Sequence, residues 1–249
     1  SGDAEAMRRE VARLAPGDVA GYERFLAASE AIYKVGFEQL GHVPFNTWGD
    51  MLKVLPALLK LEGYRTVYSL ACKHVKDARL RVVLTFQSLL VGGNPFATTS
   101  VYCLIAFLER RWGVHFAMGG TGALVDGLAR LMAEQGITVK LETSVASIEV
   151  MDGEVRAVLT EAGERIEADH LVSNADPVHL YNHVLPKSAS KASARIKARH
   201  SEQSMGLFVL YFGTARQYPG VAHHTIWMGP RYRELLDDIF HRKVLAEDF

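Results

Sequence analysis

Ser88–Leu131 reads SLLVGGNPFATTSVYCLIAFLERRWGVHFAMGGTGALVDGLARL, and it marks the seam between two kinds of chain. Gly92-Gly93-Asn94-Pro95 is a strong turn signal, because glycine supplies unusual backbone angles and proline cannot continue a helix. Thr98-Thr99-Ser100 then offers caps for a helix over Val101–Trp112. Gly119-Gly120-Thr121-Gly122 opens a second helix, from about Thr121 to Glu134, which Gly136 stops. Before the seam the periodicity is helical almost throughout. After it the pattern changes to short alternating runs.

Towards the N-terminus, Asp18 is placed to cap a helix from Val19 to about Gln39, ending at Gly41. Val43-Pro44-Phe45 is a short extended link. Thr47 is a cap for a helix running to Leu61, and Pro56 inside it predicts a kink or break. Two further helices follow over about 65–75 and 77–90. Towards the C-terminus, Ile137–Leu141 alternates with period two and predicts a strand. Strands are also predicted over 145–150, 155–160 and 164–167, with Asp152-Gly153 as a hairpin turn. His170–Ser173 reads as a buried strand. Lys187, Lys191, Arg195, Lys197, Arg199 and His200 give a basic helix, which suits either solvent or anionic lipid. Met205–Gly213 and Ala222–Met228 read as strands, and Arg231–Phe240 as a closing helix. The fold class expected is a mixed α/β chain. It divides into a helical region 1–115, an α/β region 116–183 and a further region 184–249.

Composition narrows the function. Hydrophobic residues make up 49% and charged residues 22%, as in a globular protein. Lys+Arg and Asp+Glu are both 28, so no net field favours nucleic acid, and no motif for it is present. Cys72 and Cys103 lie in apolar surroundings and read as free buried thiols. The polar start Ser1–Glu5 is unlike a signal peptide, and no apolar run reaches the ~20 residues that span a bilayer. A cytoplasmic protein that lies on a membrane is expected. No metal site is expected: there is no C-x-x-C or H-E-x-x-H, and His223-His224, as adjacent strand residues, would face opposite ways.

Leu89–Ser100, Trp112–Val125, SNAD at 173–176, LFVLYFG at 207–213, AHHT at 222–225 and GPRYRELLDDIF at 229–240 lie in the order and wording of one family. On these residues the chain resembles the bacterial-type phytoene desaturases, FAD-dependent carotenoid oxidoreductases of the flavin amine oxidase superfamily. The resemblance runs from about Asp18 to the last residue. It implies a partial Rossmann-like flavin domain plus a substrate domain. It also implies that the N-terminal phosphate-binding unit and the C-terminal flavin motif lie outside this chain, so that the chain alone is expected to hold FAD poorly. The substrate implied is 15-cis-phytoene, desaturated towards lycopene. Open alternatives are another carotenoid desaturase, isomerase or ketolase, and a non-catalytic membrane-associated lipid-binding module.

Site residues follow from the same resemblance. Val145 matches the strand valine beside the adenine of FAD. Ser173, Asn174 and Asp176 lie where the chain returns to the cofactor, although Asp176 is equally a helix cap. The cluster Gly119-Gly120-Thr121-Gly122 does not fit G-x-G-x-x-G: Gly120 and Gly122 match, but position 125 is Val125. Its glycines allow close approach either of a cofactor or of another helix. A polyene offers nothing to hydrogen-bond, so its tunnel would be apolar. Phe45, Trp48, Phe86, Phe96 and Tyr102 are candidates for that tunnel, with plain core packing as the alternative. Asp50 and Lys53 share a helix face and match the family's D-M-L-R run, with Lys in place of Arg. They are candidates for acid–base work, or for an ion pair.

Overall fold

The computed structural model describes residues 2–45 and 47–247. The chain divides into two compact units, Ser1–His115 with Ser204–Phe249, and Phe116–Gln203.

The first unit is helical. Its elements are α1 (Ala4–Leu14), α2 (Val19–Tyr33), α3 (Trp48–Lys60), α4 (Val67–His74), α5 (Ala78–Val83) and α6 (Leu104–Trp112). A π-helical turn, Lys34–Gln39, extends α2, and a 3-10 helix, Phe86–Val91, follows α5. The core lies where α2 meets α4 and α6. Phe25, Ile32, Val67, Leu70, Ala71 and Ala106 are all buried there. Gly21 permits the close crossing: a Cβ at this position would stand 2.1 Å from the His74 carbonyl oxygen. Tyr33 closes the far end of α2 against Phe37, Phe107 and Trp112, with ring centroids 5.2–5.5 Å apart.

The Asn94-Pro95 turn forms as predicted. Gly92 ends the 3-10 helix at φ 77, and the Asn94 side chain accepts from the Phe96 amide at 3.0 Å. The run that follows is tied to the start of α4. Val67 N donates to Thr98 O at 2.9 Å, Ser100 N to Arg65 O at 2.8 Å, and the Ser100 hydroxyl to Glu62 O at 2.9 Å. Thr47 caps α3, which continues through Pro56 without a break. Asp18 does not cap α2. Its buried carboxylate instead accepts from the Lys76 and Asp77 amides at 2.6–3.0 Å, joining the start of α2 to the α4–α5 turn. Capping competes with any other set of unpaired amides within reach, and here the distant set wins.

The second unit begins with α7 (Gly120–Glu134), which ends before Gly136 at φ 74. A three-stranded antiparallel sheet follows: β1 (Val145–Met151), β2 (Glu154–Thr160) and β3 (Arg165–Glu167). Asp152 and Gly153 both adopt positive φ, 54 and 82, the geometry of a tight hairpin turn that matches strand twist. Register pairs Ile148 with Val158 and Glu149 with Ala157. Ile148, Ala157 and Val158 are buried. A short helix, α8 (Pro177–His179), continues as a π-helical turn to Val184, and β1 packs against that turn. The basic segment forms α9 (Ala192–His200).

Four predicted strands are absent among the described residues. Residues 137–141, with their period-two alternation, and the apolar runs 170–173, 205–213 and 222–228 are irregular here. A strand needs a neighbour to complete its ladder of hydrogen bonds, and periodicity alone cannot supply one. Their apolar side chains are correspondingly exposed: Val172 is 95%, Phe208 90% and Tyr211 91% accessible. Without a strand, His223 and His224 do not diverge; their Nδ1 atoms lie 3.1 Å apart. The chain closes with α10 (Tyr232–Asp237) and a π-helical turn to Arg242.

Candidate functional site

In the second unit, β1 and β2 form one wall of a cleft of about 520 Å³, and residues 171–175 with α8 and its extension form the other. Val145, Ile148, Val158 and Leu171 give it apolar faces. Ser144, Ser173 and Asn174 bring hydroxyl and amide groups to its edge. Local geometry fixes the second wall. The Ala175 amide donates to the Ser173 hydroxyl at 3.3 Å, and the Asp176 carboxylate accepts from His179 N at 2.9 Å. Ser173 and Asn174 therefore face the same space as Val145, although they are far apart in sequence.

Flat apolar walls with a polar rim suit the burial of a planar ring whose edge hydrogen-bonds. The cleft contains His179 and Glu161 as its titratable groups, with no nucleophile–base pair. Among the described residues, no group of three or more His, Cys, Asp or Glu could hold a metal.

The remaining candidates lie elsewhere. Gly119 and Gly120 have φ 85 and 87 at the start of α7 and do not line the cleft. A Cβ on Gly120 would meet open space. The Asp176 side chain is used as a cap. In the first unit, Asp50 belongs to a capping box. The Thr47 hydroxyl and amide donate to Asp50 Oδ2 at 2.8 and 3.1 Å, while Asp50 N donates to Thr47 Oγ1 at 3.2 Å. Lys53 Nζ lies 3.7 Å from Asp50 Oδ1. The Thr47 hydrogen bond holds the Asp50 carboxyl below the ordinary carboxylate range, and Lys53 adds to this. The group is an anion at neutral pH and not a proton donor.

Of the five tunnel candidates, none lines the cleft of the second unit, and only Phe86 lines a second cleft, within the first unit. Phe96 sits in an aromatic cluster with Tyr68 and Tyr232, under the Arg233 guanidinium at 3.8 Å. Phe45, Trp48 and Tyr102 are exposed by 46%, 87% and 40%. The sequence reading overlooked Tyr22, whose buried hydroxyl and position on that second cleft carry no local sequence signal. Cys72 and Cys103 are both free, but only Cys103 is buried as expected; Cys72 is half-buried, and burial pushes the Cys103 thiol up to about 12.

Comparison with known proteins gives these sites a context. The lycopene-forming phytoene desaturase of Pantoea ananas is 44% identical over 247 residues, which is 99% of this chain and 50% of that protein. The neurosporene-forming phytoene desaturase of Cereibacter sphaeroides is 44% identical over 249 residues, covering 98% of this chain and 48% of its own. A 4,4'-diapolycopene oxygenase of Methylomonas sp is 29% identical over 252 residues, or 99% of this chain and 50% of that protein. The chain thus spans about half the length of the curated relatives it matches. Residues 2–240 match the family described as flavin containing amine oxidoreductase. The mixed fold, with its helical unit and small sheet, is compatible with that family, and the chain belongs to it.

Proposed function

We propose that this chain forms part of an FAD-dependent carotenoid desaturase that acts on 15-cis-phytoene. The observation that carries the reading is identity of 43–44% to phytoene desaturases over 99% of the chain. An oxygenase relative at 29% identity makes a related polyene oxidation the second reading.

FAD, when bound, supplies the oxidation by accepting a hydride from the substrate. The cleft of the second unit fits a part of it. Val145 and Leu171 offer faces for a planar ring, and Ser173 and Asn174 offer hydrogen bonds at its edge. This is the finer, Rossmann-like assignment of the region. In the same reading Gly119 and Gly120 give backbone access near the start of α7, and Asp176 supports the loop indirectly by capping α8.

Asp50 is the proposed proton acceptor. The Thr47 hydroxyl and Lys53 keep it ionised, the state from which it can accept a proton, and at the same time lower its basicity. The polyene tunnel is proposed along Phe45, Trp48, Phe86, Phe96 and Tyr102. Exposed apolar side chains on α3 and around it support a surface that contacts apolar material. Trp48, Leu52, Leu55 and Leu59 are all at least 44% accessible, and Lys53 lies among them. An apolar face edged by lysine suits interfacial docking. Among the described residues, no helix is long and apolar enough to cross a membrane. A cytoplasmic protein bound to the membrane surface is the reading we favour.

The test is conversion of 15-cis-phytoene in vesicles by the polypeptide that the intact gene encodes, supplied with FAD. Products of longer conjugation support the reading. Unchanged phytoene in the presence of bound FAD contradicts it.

A further inference from the structure

The cleft in the first unit is larger, at about 800 Å³, and Phe86 is the one residue of its lining that the function above assigns. It opens beside α2, α6 and the 3-10 helix Phe86–Val91, with residues 223–228 along one side. Leu26, Leu84, Phe86, Ile226 and Met228 make most of its wall apolar. Its polar side chains are Tyr22, Gln87, Glu109 and Arg110, with His223, His224 and Thr225 on the side of residues 223–228. Gln87 Nε2 donates to Glu109 Oε2 at 3.2 Å, and Glu109 pairs with Arg110 at 3.6 Å. Both charged side chains are less than a fifth exposed, at 19% and 18%.

Tyr22 is the exception in this wall. It is 2% exposed, and among the described residues its hydroxyl has no hydrogen-bond partner. Burial pushes the phenol up, and the charge of Arg110 opposes that shift, so the hydroxyl lies within the field of the polar group. A buried hydroxyl left unpaired is costly, and a ligand oxygen would relieve it.

We propose that this cleft binds an uncharged long-chain molecule with a single oxygen at its head, an alcohol or a carbonyl compound. The chain lies along the apolar wall, and the head oxygen accepts from the Tyr22 hydroxyl. A pure hydrocarbon leaves that hydroxyl unpaired. An uncharged head is favoured over a charged one, because Glu109 and Arg110 already pair with each other: a carboxylate would have to compete with Glu109 for the cleft's donors, and an ammonium would meet Arg110. The proposal does not rest on the desaturase reading, because Tyr22, Gln87, Glu109 and Arg110, which carry it, have no role in that reading.

All-trans-retinol is a suitable probe: it is a long apolar alcohol whose fluorescence reports an apolar site. Titration of the 249-residue chain should give saturable binding. Tyr22→Phe keeps the ring and removes an unpaired hydroxyl, so it should fold with unchanged or higher thermal stability. It should weaken retinol binding by roughly 5-fold, the worth of one neutral hydrogen bond. Val114 lines the cleft and is 63% exposed, so Val114→Trp can fill the opening without disturbing the core and should also weaken binding. Non-saturable binding to the wild type overturns the proposal. Wild-type affinity in either variant overturns it as well.

Discussion

Replacing Gly21 by alanine tests the helical core at its tightest point. Ordinarily this change inside a helix is favourable by about 1 kcal/mol, because glycine has more backbone freedom to lose. Here the new Cβ would stand 2.1 Å from the His74 carbonyl oxygen and 3.1 Å from its carbon. Both atoms belong to α4's backbone, so no flexible side chain can give way. Either α2 and α4 separate by more than an ångström, or the end of α4 unwinds. Separation would loosen Phe25, Leu70 and Ala71 together, because all three belong to the same buried cluster. Overpacking of this kind costs about 1–3 kcal/mol or more, and rigid backbone on both sides places it at the upper end. After the gain in helix propensity, the net loss is about 2 kcal/mol. That corresponds to a fall in Tm of roughly 4–8 °C for a unit of this size. Circular dichroism melts of the wild type and Gly21→Ala would measure it. Gly127→Ala in α7 is the control, since its Cβ would meet only the end of the Arg130 side chain at 3.9 Å. If Gly21→Ala melts at or above the wild type, as Gly127→Ala should, the close crossing of α2 and α4 is wrong.

Asp18→Ala should be destabilising by about 1–3 kcal/mol in urea denaturation, because it removes the charged acceptor of two part-buried amides at once; a change under 0.5 kcal/mol would mean that the Asp18 contacts to Lys76 and Asp77 do not form. The Asp50 carboxyl is lowered, so its contribution to α3 is present above the unfolded value near 3.8 and is lost as pH falls through the lower folded value. An NMR titration of the Asp50 side chain should show that lowered midpoint, and Thr47→Ala should move it back towards the unfolded value. Asp50→Asn in the polypeptide encoded by the intact gene should reduce turnover of phytoene by roughly 10²-fold with FAD content unchanged; wild-type turnover would leave Asp50 as a cap alone. Under native conditions a thiol reagent should modify Cys72 well before Cys103, which is 2% exposed and pushed up to about 12; equal rates would contradict the packing of Cys103 into the helical core just before α6.

The parts of the fold that were legible are those whose cause is local. Glycines at 92, 119 and 136 mark helix ends because few other residues take positive φ there. Asp152-Gly153 gives the hairpin for the same reason. Thr47 was readable as a cap from its place before an apolar helix. Interactions between distant residues were not legible. Asp18 sits where a cap belongs, yet its partners lie nearly sixty positions on. The runs at 137–141 and 205–213 have strand chemistry, but pairing depends on a neighbour that no alternation reveals. Val145, Ser173 and Asn174 were chosen by resemblance and lie on one cleft, because the turn at Asn174–Asp176 folds back beside β1. Trp48 and Phe45 were grouped with Phe86 by their apolar character, which says nothing of which surface each one covers.

The most direct test of the central claim is the reaction itself. The polypeptide encoded by the intact gene, reconstituted with FAD and anionic vesicles containing 15-cis-phytoene, should yield polyenes of longer conjugation, seen as new visible absorption and identified by chromatography. The yield should depend on FAD, and substitutions of Val145 and Asn174 that fill their cleft should lower FAD content and product together. Stoichiometric FAD without any conversion of phytoene would contradict the account.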